Sequence, residues 1–414
     1  MSDELTRAQS DYTALVGRGL DLDLTRGKPS AEQLDLSNGL LALPGPDDYT
    51  AADGTDCRNY GGLEGLRELR AIFSEFLQVP VDQLLAVGNA SLQLMHDTIV
   101  HALLGVLPGA GRRWADEERI AFLAPVPGYD RHFALCERYG IELIPVPMTP
   151  EGPDMDIVER LVAADAGIKG IWCVPKYSNP DGVTYSDTTS RRLAALNPAA
   201  PDFRIFWDNA YAVHHLTDRH AEVADILALC AEAGHPDRAF VFGSTSKITM
   251  AGAGVAFFGS SPANIAWFKK YFAKGSIGPD KINQLRHVRF LRDADGVRAL
   301  MARHAELIRP KFEVVNRILT DELDGTGLAT WSNPAGGYFI NLRVPAGCAR
   351  AVVKRAAEAG IKLTPAGATH PYGDDPEDRT IRIAPTYPPK DELEQAIHGL
   401  AVCVRLVGHE ERVS

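Results

Sequence analysis

Three short stretches in the middle of the chain decide the fold: GIWCVPKYSNPDG at 170–182, FRIFWDNAY at 203–211 and AFVFGSTSK at 239–247. Each starts with an apolar, β-type run of about five or six residues and then opens into a polar loop. Helical patterns separate such runs between about residues 60 and 260, as in GLRELRAIFSEFL at 65–77. Strands that alternate with helices predict an α/β fold whose mostly parallel sheet is covered by helices on both faces.

The pattern changes beyond about residue 280. Residues 295–322 are predicted to form one long helix, and another apolar stripe at helical spacing starts at Lys390. Short β-type runs lie between these helices, which predicts a smaller α+β domain. We therefore expect three parts: an N-terminal segment (1–45) that packs with the small domain, a large domain (46–300) and the small C-terminal domain (301–414).

Composition narrows the classes of function. The chain has 414 residues, 45% of them hydrophobic and 23% charged, with a net charge of −11, which is typical of a globular protein that buries a large core. No apolar run approaches the roughly 20 residues of a membrane helix, and the polar N-terminus is unlike a signal peptide. The acidic balance argues against nucleic-acid or membrane partners. We expect a cytoplasmic protein.

The cysteines give no sign of a metal site or a disulfide framework, because they are widely scattered and never form a CxxC pair. They are Cys57, Cys136, Cys173, Cys230, Cys348 and Cys403. His214 and His215 follow one strand, but adjacent residues of a strand point to opposite faces and cannot easily share one ion. We interpret both histidines as structural and expect no metal.

Polar residues follow the apolar runs, and ligands of open parallel sheets bind outside the carboxyl ends of the strands. These residues are Asn89, Ala90, Ser91, Tyr129, Asn179, Asp208, Tyr211, Ser244, Ser246 and Lys247. A lysine, an acid and a phenol together indicate a pyridoxal phosphate site. The amine forms the Schiff base, and the acid pairs with the pyridine nitrogen so that the ring acts as an electron sink. The phenol and an amide would bond the ring oxygen.

These residues also carry a family resemblance. Over nearly its full length the chain resembles the fold type I pyridoxal-phosphate aminotransferases of the aspartate aminotransferase class. The matching motifs, in the family's order, are NYGGLEGLRELR, PVPGYD, SNPDG, DNAY, GSTSK and RIAP. LDLTRGKPS, GNASLQLMHDT and LTPAGATHPYGDDP resemble the bacterial aspartate aminotransferases related to the MocR regulators.

The resemblance implies roles for the residues around the cofactor ring. Lys247 matches the Schiff-base lysine, which also moves the substrate proton. Asp208 matches the partner of the pyridinium nitrogen. Tyr211 and Asn179 match the donors to the ring oxygen, and Asn179 is also expected at the substrate. Tyr129 lies where the family stacks an aromatic ring on the cofactor.

The phosphate group should be bound at a helix N-terminus, which offers unpaired N–H groups and a favourable dipole. Ala90 and Ser91 are expected to supply those groups, with Ser244 and Ser246 alongside. Tyr60 resembles the tyrosine that the family sends to the phosphate from a neighbouring subunit, so the resemblance implies a homodimer with shared active sites.

The sequence departs from the family pattern at one phosphate-binding position. Most of the family has an arginine about eight residues after the lysine, whereas Lys247 is followed by Ile-Thr-Met-Ala-Gly-Ala-Gly-Val.

The substrate residues follow from the same resemblance. Arg382 matches the arginine that binds the substrate α-carboxylate, since its planar guanidinium makes two parallel hydrogen bonds. Gly27, in the turn TRGKP, could offer its backbone to the same carboxylate. A dicarboxylic substrate needs a second cation, for which Lys274, Arg26 and Lys28 are the candidates.

The function expected is aspartate:2-oxoglutarate transamination by a ping-pong mechanism, with an amino acid and a 2-oxo acid as partners. Two alternatives stay open. The same residues could serve aromatic, branched or 2-aminoadipate substrates, or β-elimination. The chain could also be a non-catalytic domain that senses pyridoxal phosphate, like that of the MocR regulators, although no basic winged-helix segment precedes residue 60.

Overall fold

A computed structural model describes residues 3 to 413. The helices of this range are α1 (Asp3–Val16), α2 (Ala31–Asp35), α3 (Arg67–Leu77), α4 (Ser91–Leu104), α5 (Asp130–Arg138), α6 (Met155–Ala164), α7 (Asp187–Ala194), α8 (Ile226–Glu232), α9 (Pro262–Gly275), α10 (Lys281–Leu291), α11 (Ala294–Leu323), α12 (Ala349–Glu358) and α13 (Lys390–Val413). The strands are β1 (Leu22–Asp23), β2 (Leu84–Ala86), β3 (Ala121–Val126), β4 (Glu142–Thr149), β5 (Gly152–Pro153), β6 (Ile168–Cys173), β7 (Arg204–Asp208), β8 (Ala239–Ser244), β9 (Ala256–Gly259), β10 (Thr330–Trp331), β11 (Ile340–Arg343), β12 (Ile361–Lys362) and β13 (Thr380–Ile383).

The central sheet of the described chain has the strand order β2-β9-β8-β7-β6-β3-β4-β5. Strands β8, β7, β6, β3 and β4 are parallel to their neighbours in that order. Strand β9 runs antiparallel to both β8 and β2, so β2 points in the same direction as β8. The predicted mostly parallel sheet is confirmed, with antiparallel pairs near its two edges.

Helices cover both faces of this sheet because successive side chains of a strand point to opposite sides. In β7, Ile205 and Trp207 pack in one apolar cluster with residues of α3, α6 and α8. Phe206, between them, packs in another cluster with residues of α4, α5 and α9. Strand β7 is therefore apolar on both faces, as a buried parallel strand is expected to be.

A further apolar cluster joins α11, α12 and α13 to strands β11 and β13. Leu15, Leu22 and Leu24 of the N-terminal segment belong to it, and β1 pairs with β12 in parallel. The later part of that segment contacts the large domain, since the Arg286 Nε donates to the carbonyl oxygen of Leu43. We propose the division into 1–45, 46–300 and 301–414, with the separate apolar clusters as its support.

The long helix predicted over 295–322 is confirmed as α11, which spans Ala294–Leu323 and contains Pro310. Its first turns pack in the cluster of the sheet through Val297 and Met301. Its later turns pack in the C-terminal cluster through Ile308 and Val315. One helix thus connects the two cores.

Within residues 3–413, none of the helices is both long enough and apolar enough to cross a membrane. The six cysteines are buried and free. The described part of the chain contains no group of three or more His, Cys, Asp or Glu side chains placed to hold a metal ion.

Candidate active site

Neighbouring strand ends position most of the predicted residues. Strand β7 ends at Asp208, and β8 ends at Ser244, three residues before Lys247. In the register of these parallel strands, Asp208 lies opposite Phe242, so both ends reach the same edge of the sheet. Strands β6 and β3 lead at that edge into the loops that carry Asn179 and Tyr129.

Lys247 lies in the turn after β8, among aromatic rings. Its Nζ is 5.0 Å from the ring centroid of Tyr211 and 5.8 Å from that of Tyr338. Burial lowers the pKa of Lys247, and the negative charge of Asp208 opposes that shift. The Nε2 atom of His214 lies 3.2 Å from the carbonyl oxygen of Lys247 and so contacts the turn that carries the lysine. A lowered amine pKa favours the neutral form, which is the nucleophile.

Asp208 has one oxygen bonded and one oxygen without a partner. Its Oδ2 lies 3.0 Å from Nε2 of His132, whose ring stacks on Trp172 with centroids 4.2 Å apart. The residue is only 3% exposed, and no donor among residues 3–413 reaches Oδ1, which is also buried. A buried carboxylate oxygen without a donor costs about 1–3 kcal/mol or more. The protonated ring nitrogen of pyridoxal phosphate is a donor that fits this oxygen.

Two phenols border the same space and stay neutral. Burial raises the pKa of Tyr129 to about 12, with the negative charge of Asp208 as a further cause. Burial also raises the pKa of Tyr211 well above its ordinary range. The Tyr129 ring lies edge-on to His132, with centroids 4.9 Å apart. Both phenols can therefore donate a hydrogen bond throughout the physiological pH range.

The expected phosphate end is the N-terminus of α4. Ala90 is its N-cap residue and provides no side-chain cap, which leaves first-turn N–H groups for an anion. Nearby, the Ser244 hydroxyl donates to Oγ of Ser246 over 3.1 Å. The loop after Lys247 approaches the helix through its backbone, since a Cβ on Gly254 would lie 3.0 Å from the Asn89 carbonyl oxygen. The first-turn N–H groups of α4 and the hydroxyls of Ser244 and Ser246 are neutral donors that suit a phosphate group.

Arg382 lies on β13 with its guanidinium already bonded on both terminal nitrogens. Nη1 donates to Oδ1 of Asp130 over 3.0 Å and to Oδ1 of Asn179 over 3.4 Å. Nη2 donates to Oγ1 of Thr364 over 3.3 Å. The residue is 7% exposed, and its guanidinium carbon is 5.0 Å from the ring centroid of Phe339. This is a fixed, buried cation suited to a carboxylate.

The N-terminal segment reaches the same place. A Cβ on Gly27 would lie 2.2 Å from Cζ of Phe339, so the turn lies directly on that ring. The Thr364 hydroxyl donates to the carbonyl oxygen of Thr25 over 3.0 Å. The structure therefore brings Gly27 close to Arg382 through Phe339 and Thr364.

The remaining predicted residues lie outside this arrangement in a single chain. Arg26, Lys28 and Lys274 are exposed, and the Lys28 ammonium lies 3.9 Å from the Tyr387 ring. Tyr60 is 81% exposed. Its loop is held by Lys281, whose Nζ donates to the carbonyl oxygens of Asn59 and Gly61. Their assigned roles stay predictions.

Sequence analysis missed several residues of the site. His132 follows Tyr129 by three positions, a spacing that places two helical side chains on one face and could have indicated it. Asp130, Thr364 and Tyr338 had no comparable signal. His214, interpreted as structural, contacts the backbone of Lys247.

The sheet and the groups at its edge define a fold type I pyridoxal-phosphate enzyme. The family described as aspartate amino-transferase matches residues 1–414. The chain is 57% identical over 404 residues to a Mycolicibacterium smegmatis protein provisionally named an aminotransferase, covering 97% of this chain and 94% of that protein. It is 51% identical over 399 residues to an aspartate aminotransferase of Corynebacterium glutamicum, covering 96% and 92%. The chain belongs to the aspartate aminotransferase family.

Solved structures agree with this assignment. A crystal structure of an aspartate transaminase from Corynebacterium glutamicum superposes with a TM-score of 0.97 at 50% identity, covering 98% of this chain and 96% of that one. The α-aminoadipate aminotransferase LysN of Thermus thermophilus, at 20% identity, shares the fold with a TM-score of 0.76, covering 98% and 97%. The protein is thus an aminotransferase that uses pyridoxal 5'-phosphate and acts on amino acids and 2-oxo acids.

Proposed function

We propose that this enzyme transfers the amino group between aspartate and 2-oxoglutarate by a ping-pong mechanism. The observation that carries the proposal is the 51% identity to the Corynebacterium glutamicum aspartate aminotransferase, which extends over 96% of this chain. The buried guanidinium of Arg382 supports the general part of the proposal, an amino-acid or 2-oxo-acid substrate, because the α-carboxylate needs such a group.

Each residue around the cofactor ring has its own role in the proposed reaction. Bound pyridoxal phosphate supplies an electron sink for the bond broken at the substrate Cα. The Lys247 amine holds the cofactor at rest and, once free, moves the Cα proton as base and then as acid. Asp208 would hold the cofactor through its unpartnered Oδ1, which is suited to accept from a protonated ring nitrogen. Tyr211 and Asn179 would donate to the ring oxygen of the bound cofactor, and Tyr129 would lie against its ring.

Neutral donors and a second subunit would bind the phosphate. The backbone of Ala90 and Ser91 and the hydroxyls of Ser244 and Ser246 are the donors within one chain. We assign Tyr60 to the site of a neighbouring subunit, and its 81% exposure supports that assignment. The proposal includes a homodimer. It also places the enzyme in the cytoplasm, for which the scattered cysteines are the support.

The substrate carboxylates would meet two different cations. Arg382, with Asn179 and the backbone of Gly27, receives the α-carboxylate. For the distal carboxylate the candidates remain Lys274, Arg26 and Lys28, which are exposed and so free to reach a ligand or a neighbouring subunit.

The absorbance spectrum of the purified holoenzyme, recorded before and after aspartate is added, tests the proposal. We expect a visible band of the lysine-bound cofactor that gives way to a near-ultraviolet band. Addition of 2-oxoglutarate should restore the visible band. A panel of aromatic, branched and 2-aminoadipate donors serves as the comparison.

The possible outcomes distinguish aspartate transamination from the alternative functions. A visible band that aspartate leaves unchanged, but that another donor converts, would contradict aspartate as the donor. A band that no amino acid converts would favour a cofactor-sensing protein. Pyruvate release in place of amino transfer would indicate β-elimination.

A further inference from the structure

The anchor proposed for the substrate α-carboxylate already holds a carboxylate of this chain. Asp130 Oδ1 lies 3.0 Å from Nη1 of Arg382. Asn179 Oδ1 bonds the same nitrogen, over 3.4 Å. A terminal guanidinium nitrogen has two N–H groups, so these two oxygens take both of them.

A substrate carboxylate that binds end-on, through both terminal nitrogens, must therefore displace a partner of Nη1. The remaining donor, Nε, has no partner among the described residues but is buried. Thr364 is fixed, because it is 6% exposed and its hydroxyl donates to the Thr25 carbonyl oxygen. Asn179 is buried in the loop that follows β6. Asp130 is different, because 35% of its side chain is exposed.

The N-terminus of α5 offers the Asp130 carboxylate a second favourable environment. It is the first residue of α5, directly after the N-cap residue Tyr129. An acidic side chain in the first turn of a helix is stabilised by the unpaired N–H groups and the dipole there. The carboxylate can thus leave Arg382 and remain next to water and the helix N-terminus.

We propose that Asp130 is an internal competitor of the substrate: its carboxylate occupies Arg382 in the free enzyme and is displaced when the α-carboxylate binds. Asp130 is then a positioning residue that holds the guanidinium in place and limits the affinity for every carboxylate ligand. This inference rests on the proposed role of Arg382.

Calorimetric titration of the holoenzyme with succinate, an unreactive dicarboxylate, tests the inference. We expect Asp130→Asn and Asp130→Ala each to lower the Kd by about three- to tenfold, since a partly exposed ion pair no longer has to be broken. The KM values for amino acid and oxo acid should fall together, and by a larger factor than any change in kcat. Asp187→Asn, which removes an exposed acid from the first position of α7, is the matched control and should leave the Kd unchanged.

The Arg382→Lys variant tests the proposed role of Arg382 as the α-carboxylate anchor separately from the role of Asp130. A Kd that rises at least about tenfold in Arg382→Lys supports the anchor. If that rise occurs while both Asp130 variants bind succinate as weakly as the parent enzyme, or more weakly, the competitor role is overturned and the anchor stands. If Arg382→Lys binds succinate like the parent enzyme, the anchor itself is wrong. Asp130→Ala is included because the asparagine of Asp130→Asn could still accept a hydrogen bond from Arg382.

Discussion

The cofactor side and the substrate side of the site are built in different ways. On the cofactor side, Asp208, Ser244 and Lys247 come from two adjacent strand ends, and one buried oxygen of Asp208 has no donor within the described chain. On the substrate side, Arg382 is contacted by Asp130 and Asn179, which lie 252 and 203 positions away in sequence, and its terminal nitrogens are already bonded. Adjacent strand ends of the sheet position the central residues of the first side, whereas packing between distant parts of the chain builds the second.

The largest expected effect comes from breaking the cofactor side. Lys247→Ala should lower kcat at least about 10⁴-fold, because it removes both the attachment of the cofactor and the proton carrier. Its visible absorbance band should also be lost. Steady-state kinetics and the spectrum check this together.

Lys176→Ala is the matched control, since Lys176 is also a buried lysine, bonded through Nζ to the Ala212 carbonyl oxygen. It should keep the visible band and most of the turnover. If Lys247→Ala retains more than about one hundredth of the parent kcat, the role of Lys247 is wrong.

A smaller effect is expected when the substrate side alone is disturbed. Gly27→Ala puts a Cβ 2.2 Å from Cζ of Phe339, so the ring must move from its place beside Arg382. We expect the KM for aspartate to rise about tenfold, an effect of about 1.4 kcal/mol, while the cofactor spectrum stays unchanged. Gly45→Ala, at a position where a Cβ meets nothing within 4 Å, is the control. An altered spectrum with an unchanged KM would mean that the two sides are not separable.

The smallest expected effect is a change with pH in the free energy of unfolding, caused by the ionisation of Tyr129. Burial raises the pKa of Tyr129 to about 12 in the folded state, against about 10 in an unfolded chain. Between these values the folded state holds more protons than the unfolded state, so this residue's contribution to stability falls as the pH rises from about 10 towards 12. Relative to Tyr129→Phe, the cofactor-free protein should lose about 1 kcal/mol of unfolding free energy by pH 11. Denaturant titrations of both proteins measure the difference, which should be flat below about pH 9; a flat difference up to pH 11 would contradict the shift.

The same contrast explains what the sequence could predict. Strand-end residues such as Asp208 and Lys247 follow from a local pattern and the rule for parallel sheets. The pair Asp130–Arg382 joins residues 252 positions apart, and no periodicity in either segment indicates it. His132 lies between these cases, because its spacing from Tyr129 is local but its partner Asp208 is not.

The fold shows a similar limit. The long helix α11 was predicted to within one residue at each end, since its apolar stripe is repeated many times. The pairing of β1 with β12 was not predicted, because strands of two residues carry no alternation to detect. The role proposed for Tyr60 requires a second subunit, which no single-chain pattern describes.

Helix α11 also has a mechanical consequence. Its 30 residues span about 45 Å, and it is anchored at one end in the core of the sheet and at the other in the C-terminal core. Pro310 has no N–H group, so the turn before it lacks one hydrogen bond and is more compliant than the rest. The helix thus connects the two cores through one turn that lacks a backbone hydrogen bond, and any bending between the cores is easiest at that turn.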